Sequence, residues 1–160
     1  MDRSENGALL IVEDSDEDYA LALWALRQAG CARAIRRARS LTEALACLCP
    51  EHAGALGETP LLDLVLLDLN LPDGTGQELL LALRAAHGQA LPVPVIVLTT
   101  SSNPRDVGEF YQLGVSGYLV KPLDRERFAA QMRVVVDYWL RTVRLPPAFL
   151  PVAPCPEQTA

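Results

Sequence analysis

No apolar run in this 160-residue chain approaches the ~20 residues needed to cross a bilayer as a helix, so a membrane-embedded protein is not expected. The start, Met1-Asp2-Arg3-Ser4-Glu5-Asn6, is polar, and no signal peptide is expected there. Positive charge is scarce as well: 14 Lys and Arg stand against 20 Asp and Glu, for a net charge of −6. That balance argues against general binding to nucleic acid or an anionic membrane, both of which want a basic face. Cysteine is sparse, and Cys31, Cys47, Cys49 and Cys155 follow neither zinc-ligand nor disulfide spacing. A reduced, cytoplasmic setting is expected, with the thiols as small core or surface residues. The two histidines, His52 and His87, have no partner at metal-ligand spacing. Gly74-Thr75-Gly76 lacks the third glycine of a dinucleotide fingerprint. What is not lacking is apolar content, at 50% of residues, which makes the chain globular and long enough for one well-filled domain.

Leu64-Val65-Leu66-Leu67 is an apolar run with no polar relief, as expected of a strand buried on both faces of a parallel sheet. It stops at Asp68, and Pro72-Asp73-Gly74 then turns the chain. Ala8-Leu9-Leu10-Ile11-Val12 is a second such run and also ends in acid, Glu13-Asp14-Ser15-Asp16-Glu17-Asp18. A helix is expected over 19–29, stopped by Gly30, then a short charged edge strand at 34–38. Ser40-Leu41-Thr42-Glu43 is a capping box opening a helix to about Cys49, with Pro50 beyond it. Another capping box opens a helix at 75–87. Strands follow at 94–99 and 117–120, the first leading through Asn103-Pro104 into a short helix that reaches about Leu113. Asp124 caps a last helix, expected over 124–144. From Pro146 the prolines crowd too densely for regular structure.

Five repeats of strand then helix predict an α/β fold, a flavodoxin-like doubly wound five-stranded parallel sheet in the order 2-1-3-4-5. That order puts the switch point between the first and third strands, so Glu13, Asp14 and Asp68 should meet in an acidic pocket. Carboxylates that close repel, and a hard cation such as Mg²⁺ would relieve them. Acids in the first turn of a helix are otherwise simply favoured by its dipole, which accounts for Asp16, Glu17 and Asp18. The fourth and fifth strands end in Thr99 and Lys121, a hydroxyl and an ammonium suited to an acyl phosphate on Asp68.

Over 8–145 the chain resembles the receiver domain of two-component response regulators. The matching positions are Glu13-Asp14, Asp68-Leu69-Asn70-Leu71-Pro72-Asp73-Gly74, Thr99 and Lys121-Pro122. The resemblance implies that Asp68 takes a phosphoryl group from the phosphohistidine of a sensor kinase. It implies that Asp14, Asp68 and the backbone carbonyl of Asn70 hold Mg²⁺, with Glu13 acting through water. It further implies that Thr99 and Tyr118 switch together and that the bond to Pro122 is cis. Thr100 departs from the small residue common at that position and could narrow access to the site. The organisation expected is a polar N-terminal tail over 1–7, the receiver domain over 8–145 and a Pro-rich tail over 146–160. So short a tail leaves no room for a helix-turn-helix output domain, and a stand-alone regulator working by binding is expected.

An unbroken last helix would be roughly 31 Å long, against the roughly 20 Å that a strand requires. The overhang would expose Trp139, Leu140 and Val143, with Phe149 beyond them, as a dimer or partner interface. The segment from Asp137 to Pro146 resembles that of the small regulators paired with bacterial phytochrome-type kinases, which implies a homodimer through the fourth and fifth helices or through an arm. Two other function classes compete with this reading. One is a pseudo-receiver scaffold, which would have lost pocket residues. The other is a Mg²⁺-dependent aspartyl-nucleophile phosphohydrolase similar to the haloacid dehalogenases, which needs an acid where Asn70 stands. The expected protein is thus a phosphoacceptor rather than an enzyme, with no direct DNA or membrane binding.

Overall fold

The computed structural model describes residues 7–49, 61–88, 91 and 93–145. Strands β1 (Ala8–Val12), β2 (Ala34–Ala38), β3 (Leu62–Leu67), β6 (Val95–Thr99) and β7 (Gly117–Val120) form one sheet in the order β2-β1-β3-β6-β7. All four pairings are parallel. Numbered within this sheet alone, the order is the expected 2-1-3-4-5. A two-residue-per-strand antiparallel hairpin, β4 (Asn70–Leu71) and β5 (Gly74–Thr75), stands apart from it just after Asp68.

Strand residues alternate between the faces of a sheet, and here each set finds its own core. Leu10, Val12, Val65 and Leu67 pack with α2 (Leu41–Leu48), α3 (Gly76–His87) and Phe110 of α4 (Pro104–Gln112). Leu9, Ile11, Leu64 and Leu66 pack with α1 (Asp16–Gln28) and α5 (Arg125–Val135). Because both faces are covered, the central strands could be continuously apolar. The caps follow the local chemistry: Ser40, Thr75, Asn103 and Asp124 each accept a backbone N–H of the helix they precede. Helix α1 begins at Asp16, earlier than expected, because Ser15 caps it through the N–H of Asp18 and three acids in its first turn suit the dipole.

The last helix departs from expectation. After α5 the chain continues as a π-helical segment, Val136–Thr142, and the Val143 N–H donates to the Tyr138 carbonyl at 2.9 Å, five residues back. The wider turn changes the phase of the side chains. Trp139 and Leu140, expected bare on an overhang, instead pack half-buried against the core shared with α1. Arg141 ties this segment down, donating to the carbonyls of Ala29 and Gly30 at the end of α1 (3.2 and 3.1 Å) and pairing with Asp137. The exposed apolar residues of this stretch are Val134 and Tyr138. Val143 is half-buried; Phe149 and the Pro-rich tail lie outside the described residues.

Candidate functional site

Backbone bonding between strand ends builds the site. The Asp68 N–H donates to the Val12 carbonyl at 3.0 Å, which fixes the end of β3 beside the end of β1. Glu13, Asp14 and Asp68 consequently meet, each offering a carboxylate oxygen within 4.8 Å of the others. Glu13 is buried, Asp68 half-buried and Asp14 exposed. On the far side, the Lys121 N–H donates to the Thr99 carbonyl at 2.7 Å, which fixes the end of β7 beside the end of β6. Lys121 reaches back across the sheet edge, its Nζ 3.1 Å from Glu13 Oε2 and 3.7 Å from Asp18 Oδ2.

The electrostatics are those of an acid cluster with too little counter-charge. Burial pushes the Glu13 carboxyl up to about 7 from 4.5; Asp68 adds to the rise, while Lys121 and the Ser15 N–H oppose it. Burial by itself would lower Lys121, but the fields of Asp68 and then Glu13 outweigh it, and the ammonium titrates above the usual lysine value. Three hard oxygen donors at this separation, with the buried one forced toward protonation, fit a small divalent cation such as Mg²⁺ or Mn²⁺. The Asn70 carbonyl is carried by the β4–β5 hairpin immediately beyond Asp68.

A cleft of about 240 Å³ opens over Asp68, with Leu21, Ala22, Leu123 and Phe128 among its apolar lining and Thr100 at its edge. Asp68, half-buried, lines this cleft and is reachable from it. Thr99 is buried, and its Oγ1 accepts the Ser101 N–H at 3.2 Å. The Tyr118 hydroxyl donates to the Ser101 carbonyl at 3.1 Å. Thr99 and Tyr118 thus bond to the N–H and the carbonyl of one residue, Ser101. The bond to Pro122 is not cis as expected, for no peptide bond among the described residues is cis. An X-Pro amide prefers trans by roughly 0.5–1 kcal/mol, and Lys121 reaches Glu13 with the bond in that form.

Three residues at the site escaped the sequence reading. Asp18, read as first-turn decoration, lines the cleft and faces Lys121. Arg37, on the edge strand, braces the acidic loop: Nε donates to the Glu13 carbonyl at 3.0 Å, an Nη to the Asp14 carbonyl at 3.2 Å and the other to Asp16 at 2.7 Å. Its guanidinium lies 4.4 Å over the Tyr19 ring. Asp73, read as a turn residue, binds the start of α2. An alternating pattern in β2 would have pointed to Arg37 once β2 was placed beside β1, but nothing in the local sequence signals the other two.

A family model described as the response regulator receiver domain matches residues 9–133. Response regulator Rcp1 of Synechocystis sp. is 34% identical over 140 residues, covering 88% of this chain and 93% of that protein. The crystal structure of the phosphorylated cyanobacterial phytochrome response regulator RcpA superposes with a TM-score of 0.75 at 33% identity, over 88% of this chain and 99% of that one. The Mn²⁺-bound form of Rcp1 gives the same TM-score, identity and coverage. Among the described residues no helix is long and apolar enough to cross a membrane.

Proposed function

The chain belongs to the response regulator receiver domain family, and from that premise we propose that it is a single-domain regulator over 8–145 whose phosphoacceptor is Asp68. One observation carries the assignment of the site: the ends of β1, β3 and β7 bring Glu13, Asp14, Asp68 and Lys121 together, and Glu13, Asp68 and Lys121 line a cleft. An Asp68 oxygen attacks the phosphorus of a kinase phosphohistidine. The new P–O bond forms as the N–P bond breaks, and the electron pair leaves with the imidazole nitrogen, which takes a proton from water. The products are an acyl phosphate on Asp68 and a neutral histidine.

Asp14, Asp68 and the Asn70 carbonyl would hold Mg²⁺ directly and Glu13 through water. The ion supplies positive charge to phosphoryl oxygens that the acids alone would repel. Lys121 supplies the second positive charge and Thr99 a hydroxyl donor on the opposite side. The bonds of Thr99 and Tyr118 to Ser101 support a joint switch, in which Thr99 turning to the phosphoryl group releases the residue that Tyr118 also holds. Asn70 stands where an aspartyl phosphohydrolase needs its acid, so the reading is of a phosphoacceptor and not a turnover enzyme.

The donor we propose is a sensor histidine kinase of the bacterial phytochrome class, by analogy with RcpA, described as a phytochrome response regulator. The output proposed is altered protein–protein contact by a cytoplasmic homodimer, through α4 and α5 or through an arm beyond them. With a net charge of −6, neither DNA nor an anionic membrane is its target. Acetyl phosphate and Mg²⁺ are expected to add one phosphoryl group by mass spectrometry, and Asp68→Asn to take none. Equal labelling of the Asp68→Asn protein would overturn the assignment. Phosphotransfer from phytochrome-type kinases should outrun that from unrelated histidine kinases, and equal rates would remove the pairing.

A further inference from the structure

Asp73 sits in the turn of the β4–β5 hairpin, three residues after Asn70. Its carboxylate leaves the hairpin altogether. One oxygen accepts the Leu41 N–H at 2.6 Å, and the other accepts both the Thr42 N–H at 3.0 Å and the Thr42 hydroxyl at 2.7 Å. These are the first two N–H groups of α2, which have no partner inside the helix. Ser40 already caps the third, on Glu43, at 3.1 Å, so α2 has a local cap and a second one lent by a segment about thirty residues away. The two elements are in close contact here. A Cβ on Gly74 would stand 2.5 Å from the Leu41 side chain and 2.6 Å from Glu78 Oε2.

A hairpin with two residues in each strand cannot hold its own shape in water, since even longer isolated hairpins are marginal. Its ladder consists of Asn70 opposite Thr75 and Leu71 opposite Gly74. One side is anchored near the sheet, where the Gly76 N–H donates to the Leu69 carbonyl at 3.0 Å. At the turn the anchor is Asp73. The Thr42 hydroxyl, followed by the backbone N–H groups, pulls the Asp73 carboxyl below the usual aspartate range, as expected of a charged acceptor at the positive end of a helix.

We propose that Asp73 is a positioning residue for the metal site: by latching the β4–β5 hairpin onto the start of α2 it holds the Asn70 carbonyl where the cation is bound. This rests on the reading of Asp14, Asp68 and the Asn70 carbonyl as metal ligands. Groups that orient metal ligands without touching the ion typically change affinity by about 10-fold or more when removed.

The test is calorimetric titration of the full chain with Mg²⁺, beside the rate of phosphorylation by acetyl phosphate. Asp73→Ala is expected to weaken Mg²⁺ binding about 10-fold and to slow phosphorylation at sub-saturating Mg²⁺, with the rate recovering as Mg²⁺ is raised. Asp73→Asn keeps an oxygen acceptor and should retain most of the affinity. Thr42→Val, which removes only the hydroxyl, should fall between wild type and Asp73→Ala. Ser40→Ala is the control, because it weakens the same helix end without touching the hairpin, and it should leave Mg²⁺ affinity within about twofold, well short of the change above. If Ser40→Ala weakens binding as much as Asp73→Ala, the carboxylate only stabilises α2 and the inference is wrong. Wild-type affinity in Asp73→Ala also overturns it; should that variant fail to fold, unchanged affinity in Thr42→Val does so. If the wild type binds no Mg²⁺, or Asp68→Asn binds it as tightly, the metal-site reading falls and takes the latch with it.

Discussion

Replacing Glu13 by glutamine should stabilise the metal-free protein even though it damages the site. Glu13 is buried beside Asp68 and Asp14, and burial raises its pKa from 4.5 to about 7. The folded chain therefore holds a proton that the unfolded chain releases, and stability falls as pH rises between those two values. At about 1.4 kcal/mol for each pH unit, the penalty once both states are ionised is on the order of 3 kcal/mol. The glutamine amide would not ionise, and Lys121 would keep Asp68 and Asp18 as counter-charges. Allowing about 1 kcal/mol for the altered bond to Lys121, Glu13→Gln in EDTA at pH 8 should be about 2 kcal/mol more stable than wild type, and the advantage should be gone below pH 4.5. Urea denaturation followed by Trp24 and Trp139 fluorescence measures it. In saturating Mg²⁺ the advantage should shrink, since the cation relieves the same repulsion in the wild type. A destabilised Glu13→Gln variant in EDTA at pH 8, or a difference that does not vary with pH, would refute the reasoning.

Arg141→Ala removes donors from the Ala29 and Gly30 carbonyls and should cost about 1–2 kcal/mol in urea melts. Trp139→Ala, in the same docked segment, should cost about 2 kcal/mol, below the range for fully buried tryptophan because the ring is half-buried; wild-type stability in both would mean the segment does not pack on α1. Arg37→Ala frees the Glu13 and Asp14 carbonyls and should weaken Mg²⁺ binding roughly tenfold by calorimetry. Arg37→Lys should not restore it, because one ammonium cannot reproduce the guanidinium fork. Full affinity in either Arg37 variant would show that the brace is dispensable.

In the last helix and the β4–β5 hairpin, local sequence does not specify the contacts that form. A rhythm of apolar residues over 128–143 was consistent with one long α-helix, because hydrophobic spacing alone does not register a change to i→i+5 bonding. The π-helical turn, closed by Val143 N–H to Tyr138 and pinned by Arg141, moved Trp139 and Leu140 from an expected overhang into the α1 core. At the hairpin, Pro72-Asp73-Gly74 correctly signalled a turn, yet the partner of Asp73 lies in another element.

Local chemistry in the sequence determined the buried strands, the caps at Ser40, Thr75, Asn103 and Asp124, and the acids, hydroxyl and ammonium that end the strands. Each of these depends on neighbours within a few residues. Strand alternation also supplied the topology, and with it the meeting of Glu13, Asp14 and Asp68. What only the tertiary structure decided is which charges serve that site: Arg37 bracing the acidic loop across 24 positions, Asp73 capping α2 across 31, and Lys121 choosing Glu13 across 108. Contacts at such separations depend on which strand ends and loops lie side by side, and no local periodicity encodes them. Asp68 ends its strand because of the residues beside it in the chain; its surroundings come from residues far from it in sequence.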